Sequence, residues 1–555
     1  MKRLVLLVAA ALSIAATPTV DRLLVGGQVH LPGGPHRLDI AVDDGRIVAL
    51  LPPAESAAWR AAAVEVVDLA GGHVVPGLVD AHLHLFGYGA ALEQVDLTGC
   101  RSFAEAVTRT AAVATTLPLE AWVQGRGWDQ NLWEDRRFPD RELLDRELPG
   151  RPVLLRRVDG HAAVASGRAL ELAGVGTKTP DPAGGRILRR EDGSPTGVLL
   201  DNAMDLVGSR IPKPSEADLE RRLLRSAQAL LQVGLTQVHD MGTTATELAV
   251  LRRVDAAGRL PIRVWSLLDG SDDELLANEL RRGPSPRKAA MLRVGGVKLY
   301  ADGALGSRGA LLGEPYADDP DNRGLEVMPV ERLEEVTRRA SSAGYQVAIH
   351  AIGDEGVHRA LDVFARVGAE RSHALRHRVE HSQTVRPTDV DRYARLGVVA
   401  SIQPTHCTSD MPWAGDRLGS SRIAWAYRWR SLLAAGVALA GGSDAPVEDP
   451  DPRRGLHAAM TRQQPGGHPP GGWNPAERLG ATEALDLFTR AAAWAGHAES
   501  WSGVIRQGLV ADLTVLGGDP TTVEPERVLH LGVLRTVVHG VDRHAAAVAA
   551  TGGGS

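Results

Sequence analysis

The chain of 555 residues predicts an α/β fold: a (β/α)8 TIM barrel, a composite β-sandwich domain built from the two chain ends, and an insertion after barrel strand one. Three observations predict it. Eight strand-like runs recur through the body, with helix-like segments after most of them, the pattern of parallel βα units. Short strand runs bounded by Gly occupy both ends. One long stretch without the repeat follows the first barrel run.

The elements follow in order. Met1-Lys2-Arg3 and the apolar run Leu4 to Ala16, with Ser13 and Ala15 spaced like a cleavage site, read as a signal peptide over 1–17. The expected location is therefore periplasmic or secreted. No later apolar stretch approaches the roughly 20 residues of a membrane span, so no membrane partner is expected after processing. Residues 20–30 and 38–51 read as strands, the second folded about Asp43-Asp44-Gly45, and Val64 to Leu69 adds another. At the far end, Ala511 to Leu516 and Val533 to Val538 are strand-like again. Such strands form one domain when the body brings its own ends together, here 18–75 plus 499–545.

The barrel is expected over 76–498. Its strand candidates are Val74 to Leu85, Leu235 to Asp240, Ile262 to Leu268, Val294 to Tyr300, Gln346 to Ala351, His377 to His381, Val398 to Gln403 and Val437 to Gly441. Glu331 to Ala343, Glu355 to Arg366 and Thr388 to Leu396 carry apolar residues at three and four spacing, as helices on the barrel would. The stretch 101–233 reads as the insertion, with a strand region at Arg151 to Val164. Trp122, Trp128 and Trp133 cluster in it. They read first as insert core, and Trp128 stands as a candidate for substrate contact. Residues 546–555 read as a flexible tail.

Composition narrows the function. A net charge of −6 is too near neutral for a dedicated nucleic-acid binder, and 44% apolar residues exclude general disorder. Cys100 and Cys407 cannot make a disulfide framework or a Cys-rich zinc site, and they read as structural. A metal would need His, carboxylate or a rarer ligand. Only Lys2, Lys178, Lys213, Lys288 and Lys298 are lysines, so a lysine inside an apolar strand calls for a reason.

The chemistry-bearing residues stand at strand ends. His82 and His84 close strand one, and residues i and i+2 of a strand share a face. Lys298 lies inside strand four, where a buried ammonium without a partner is costly. His350 ends strand five, His381 ends strand six and Asp444 follows strand eight. In a barrel of this kind the active site lies at the C-terminal ends of the strands, so all six would converge on one mouth. Independent structural polar groups have no cause to do so.

At these residues the sequence resembles the amidohydrolase superfamily, and more closely its YtcJ-like branch, amidohydrolase family 3, which includes N-substituted formamide deformylases. The resemblance rests on Val75-Pro-Gly-Leu-Val-Asp-Ala-His-Leu-His84, Asp159-Gly-His161, Val297-Lys-Leu-Tyr-Ala-Asp-Gly303, Ile349-His-Ala-Ile-Gly-Asp354, Val379-Glu-His-Ser382, Gly442-Ser-Asp-Ala-Pro446 and Gly508-Leu-Val-Ala-Asp-Leu513. It implies a centre of two divalent metal ions, usually Zn2+. His82, His84 and Asp444 would hold one ion and His350 with His381 the other, bridged by Lys298 as a carbamate formed with CO2.

On that resemblance the expected function is hydrolysis of a non-peptide C–N bond, in an amide, N-acyl amine or N-formyl amine, by a metal-bound hydroxide. Zinc lowers the pKa of water from 15.7 to about 7, and Asp444 is the expected catalytic proton carrier. His239, Asp240, Asp302, Arg308, Gln403 and His406 stand at the predicted mouth, where each could contact substrate or support another group; His161, in the family-like motif of the insertion, is a further candidate for substrate contact. The expected partner is a small-molecule amide, with a homodimer as an open expectation for assembly. Two alternatives remain: a mononuclear deaminase of a cyclic amidine-type substrate, against which Lys298 argues, and a non-catalytic metal-binding or regulatory protein on the same fold.

Overall fold

Gly77 divides the first expected strand in two. His73–Pro76 and Leu78–Leu83 are separate strands, because a Cβ at Gly77 would lie 2.3 Å from Thr236 Oγ1. Only glycine lets the backbone pass that close. The computed structural model describes residues 19–546; the expected signal peptide and tail residues 547–555 lie outside them.

His73–Pro76 belongs to an eight-stranded sheet drawn from both chain ends. It pairs in parallel with Val20–Leu31 and antiparallel with Leu513–Leu516. The eight strands are hydrogen-bonded as one sheet, not as two separate sheets of a sandwich. That sheet rolls over a common core, since Ile47 and Val537, from strands near its opposite edges, sit in one apolar cluster with Val74 and Leu513. A register shift between Leu24 and Gly27 interrupts the long strand Val20–Leu31, and such bulges bend a strand.

Leu78–Leu83 opens the barrel. Its successors are Leu235–Thr243, Arg263–Asp269, Leu292–Tyr300, Gln346–Ala351, Arg378–His381, Val399–Ile402 and Leu439–Gly441, all parallel and side by side in chain order. This is a nearly closed eight-stranded TIM barrel. Closure comes at the C-terminal rim, where the Asp444 N–H donates to His82 O at 2.7 Å and the His84 N–H to Ala445 O at 2.8 Å. The outer helices bury one face each: Val330–Ser342 covers the strands with Leu333, Val336 and Ala340, and Asp354–Val367 with Val357, Ala360, Leu361 and Phe364. That is the three-and-four periodicity of an amphipathic helix.

The insert has its own six-stranded sheet running from Val95–Asp96 to Pro195–Asp201. Its C-terminal end falls before the boundary expected at 233: helix Glu216–Gln232, started by a capping box at Ser215 and Asp218, packs Leu219, Leu223 and Leu230 into the barrel cluster. The expected strand region Arg151 to Val164 is two antiparallel strands, Val153–Arg157 and Ala162–Ala165, turned at Asp159-Gly160-His161. Gly160 takes φ +76° there, a left-handed value that favours glycine. The buried pair Arg263 and Asp512, with Nη2 to Oδ1 at 3.0 Å, stitches barrel strand three to the end sheet.

Candidate metal centre

The parallel register sets the depth of each polar group. Lys298 pairs with Ala348 and Tyr300 with His350, so Lys298 lies one layer below His350. His350 in turn pairs with Glu380, and Ala351 with His381. His82, His381 and Asp444 each offer a ligand atom within 4.8 Å of the others. His84 Nε2 stands 3.3 Å from Asp444 Oδ1, as does His82 Nε2, and the rings of His350 and His381 are 4.5 Å apart. All six residues therefore gather around one mouth. The trio His82, His381 and Asp444 takes two members of one expected ligand group and one of the other.

Each imidazole is oriented by its far nitrogen. His82 Nδ1–H donates to Glu380 Oε2 at 2.5 Å, His84 Nδ1–H to Met241 O at 2.9 Å, and His381 Nδ1–H to Gln403 Oε1 at 2.8 Å. The Nε2 of each is thereby left as a lone-pair donor. His350 is turned the other way, its Nε2 lying 3.4 Å from Gly303 O. His82 Nε2, Lys298 Nζ and Asp444 Oδ1 are buried without a hydrogen-bond partner.

Electrostatics follow from this crowding. Burial pushes the Lys298 ammonium down to about 8, against the pull of Glu380 and Asp444. Burial and then the neighbouring His350 hold His381 well below the ordinary histidine value. Burial opposes the charge of Asp444, but the imidazoles of His82, His84 and His381 beside it keep its carboxyl well below the usual range. Burial likewise opposes Glu380, and Arg378 with His82 outweighs it. His381 and Asp444 carry φ values of +70° and +60°. Non-glycine residues at such angles cost of order 1–3 kcal/mol and cluster at functional sites.

Several mouth expectations are corrected. His239 points into the barrel below the centre, fully buried and 3.0 Å from Arg378 Nη1; it does not line the cavity. Asp302 uses its carboxylate on the backbone N–H groups of Leu311, Ile352 and Gly353, holding two loops together. Arg308 is paired with Asp318 at 2.9 Å in a loop away from the cavity. Gln403 holds His381 instead of facing substrate. Trp128 is buried in the insert core with Trp133, its Nε1–H donated to Leu155 O at 2.8 Å. Asp240 does line the cavity, and its carboxylate accepts from the Leu85 N–H and the Thr243 hydroxyl. Cys100 and Cys407 are buried and unpaired, and burial pushes the Cys407 thiol up to about 12, which leaves it no thiolate beside His406.

Two histidines do face the space above the centre. It has two lobes, of about 1190 and 730 Å³, sharing Arg126, His161, His350, His381 and Asp444. His161, from the insert turn, donates Nδ1–H to Asp201 Oδ1 at 2.7 Å. Burial disfavours its charge, yet Asp201, Asp159 and Asp444 raise it above the ordinary value. His406 Nε2 is 3.7 Å from Asp444 Oδ2, and burial lowers it to about 4.

Sequence reasoning missed Glu380 and Asp80. Glu380 forms a buried ion pair with Arg378 at 2.7 Å while holding His82. Asp80 accepts from the His82 N–H at 2.9 Å and the Ser443 hydroxyl at 2.6 Å, tying strand one to the loop that carries Asp444. Asp80 sits two residues before His82 on one strand, so strand alternation was the signal that could have found it; Glu380 adjoins His381 and is the register partner of His350.

The amidohydrolase family profile matches residues 65–542. The chain is 35% identical to the putative amidohydrolase YtcJ of Bacillus subtilis, over 86% of this chain and 90% of that protein. It is 30% identical to the N-substituted formamide deformylase of Arthrobacter pascens, over 91% and 94%. Among solved structures, a metal-dependent hydrolase from Pyrococcus horikoshii OT3 superposes with a TM-score of 0.74 at 30% identity, covering 91% of this chain and 99% of that one.

Proposed function

The chain belongs to the amidohydrolase family, and from that premise we propose that it hydrolyses a non-peptide C–N bond, in an amide, N-acyl amine or N-formyl amine, at a centre of two divalent metals. One observation carries the reading: His82 Nε2, Lys298 Nζ and Asp444 Oδ1 are buried in one mouth with no partner. Buried polar atoms without partners are costly, and a mixed nitrogen and oxygen donor set suits zinc. The named activity of the formamide deformylase relative supports the N-formyl class. The basic and apolar N-terminal run adds the proposal of an exported enzyme.

His82, His84 and Asp444 would hold one ion, and His350 with His381 the other. Lys298, as the uncharged amine, would add to the carbon of CO2 and lose a proton, and the carbamate so formed would supply oxygen donors to the centre. The ions supply Lewis-acid polarisation of a carbonyl and a lowered pKa for water. Asp444 accepts the proton given up by the attacking water and returns it to the nitrogen as the C–N bond breaks. His161, braced by Asp201, places an N–H donor where the carbonyl oxygen gains charge. Glu380 fixes the His82 tautomer. Glu380→Gln is expected to weaken divalent-metal affinity about 10- to 100-fold, read by competition with a chromophoric chelator, while the circular dichroism spectrum is kept.

The test is a panel of N-formyl and N-acetyl amines offered to protein purified without chelator. Hydrolysis is expected, lost with 1,10-phenanthroline and restored by Zn2+. Full metal loading with no turnover of any amide would overturn the proposal. A mononuclear centre has one observation behind it, the compact trio His82, His381 and Asp444. Metal analysis of the same protein separates it, with one equivalent instead of two.

A further inference from the structure

Arg126 and Arg156 are direct partners in the parallel register of Val123–Trp128 and Val153–Arg157, so their side chains leave the same face of the insert sheet. Both line the cavity above the histidines. Arg126 donates Nε–H to Pro446 O at 3.3 Å and Nη2–H to Val158 O at 2.8 Å. The polar contact of Arg156 is Nη1 to Met204 Sδ at 3.8 Å. Among the described residues neither has a carboxylate within 4.0 Å, whereas adjoining arginines do: Arg157 is held by Asp129 and Asp159, and Arg222 by Glu93.

The acids nearby are committed elsewhere, Asp159 to Arg157 and Asp201 to His161. Asp205, which acts on Arg156 from a distance, makes no ion pair with it. Burial, and then the like charge of Arg156, lower Arg126 to about 10. Two adjacent guanidinium groups without a counterion are an unfavourable arrangement inside a protein, relieved when an anion arrives. The planar fork of arginine matches a carboxylate in bidentate geometry. Pro446, whose carbonyl Arg126 contacts, lies two residues past Asp444, and Arg126, Arg156 and Asp444 line one cavity, so an anion held here would share it with the centre.

We propose that Arg126 and Arg156 form a subsite for a carboxylate on the substrate, so that the preferred substrates are amides bearing an acid group near the scissile bond. The preference for amides rests on the hydrolase reading above; the subsite itself does not.

The test therefore has two arms. Isothermal titration of the zinc-loaded full chain uses 4-phenylbutanoate and 4-phenylbutan-1-ol, neither of which can be hydrolysed. The wild type is expected to bind the acid more tightly, and Arg156→Gln or Arg126→Gln to lose roughly 10- to 100-fold of that affinity. Arg156→Lys, which keeps the charge without the fork, should recover part of it and guards against a folding defect. In the second arm, the ratio of kcat/KM for N-acetylphenylalanine over N-acetylphenethylamine should fall toward one in the same variants. An acid that binds all variants equally, as it would on the metals alone, or does not bind the wild type, overturns the subsite. Arginine-dependent binding with no amide turnover would overturn the hydrolase reading and leave the subsite standing.

Discussion

Asp444→Asn is expected to lower amide turnover by about 10²- to 10⁴-fold with little change in melting temperature. The substitution is chosen for the backbone. Asp444 sits at φ +60°, a region that Asn tolerates as well as Asp, so the rim hydrogen bond from its N–H to His82 O survives. What is lost is the charge. The carboxylate lies 3.3 Å from both His82 Nε2 and His84 Nε2, and an amide can neither take the proton from water nor hand it to the leaving nitrogen. Steady-state kinetics beside metal analysis separates the two losses. More than a tenth of wild-type turnover at full metal loading would remove Asp444 as the proton carrier.

Lys298→Ala is expected to bring metal content from near two per chain to one or less, measured by inductively coupled plasma mass spectrometry on protein purified without chelator. Lys298 is only 1% exposed, and its Nζ has no partner. A truncation there opens a cavity, and such changes cost about 2–5 kcal/mol for buried side chains of this size. Lys298→Met fills the same space without the amine and keeps that cost below about 1.5 kcal/mol if the packing is conserved. Both variants should lose metal alike if the nitrogen is what matters. An unchanged stoichiometry in the folded Met variant would place Lys298 outside the centre and favour mononuclear chemistry.

The parts of this molecule that were legible in sequence are those with a period or a repeat. The βα alternation marks the barrel strands to within a few residues, and strand ends locate the six groups that gather at the rim. Gly77 was misread because the apolar run passes through it without a polar break; the strand ends there for a reason 159 residues away, the Thr236 hydroxyl against its Cα. At the expected substrate-facing positions the structure differs for a related reason. Asp302, Arg308 and Gln403 stand in the expected sequence positions, but a position after a strand does not say which way the side chain turns. In Asp302 the backbone amides of two loops decide it, and in Gln403 the ring of His381 does. His161 was legible only through its motif, since its place over the centre depends on how the insert folds back.

The pairing of His73–Pro76 with Leu513–Leu516 has a consequence for biosynthesis. A ribosome releases the strand that leads into His82 and His84 early, and its hydrogen-bonding neighbour nearly last. Domains generally begin to fold from the N-terminus during synthesis, and here that order is blocked, because the early strand has an unmatched edge until the far end of the message has been read. Long-range pairings of this kind are slow to form. The nascent chain must therefore carry the strand that leads into His82 and His84 with an open edge through almost the whole of translation, which gives chaperones a long interval in which to hold it unfolded.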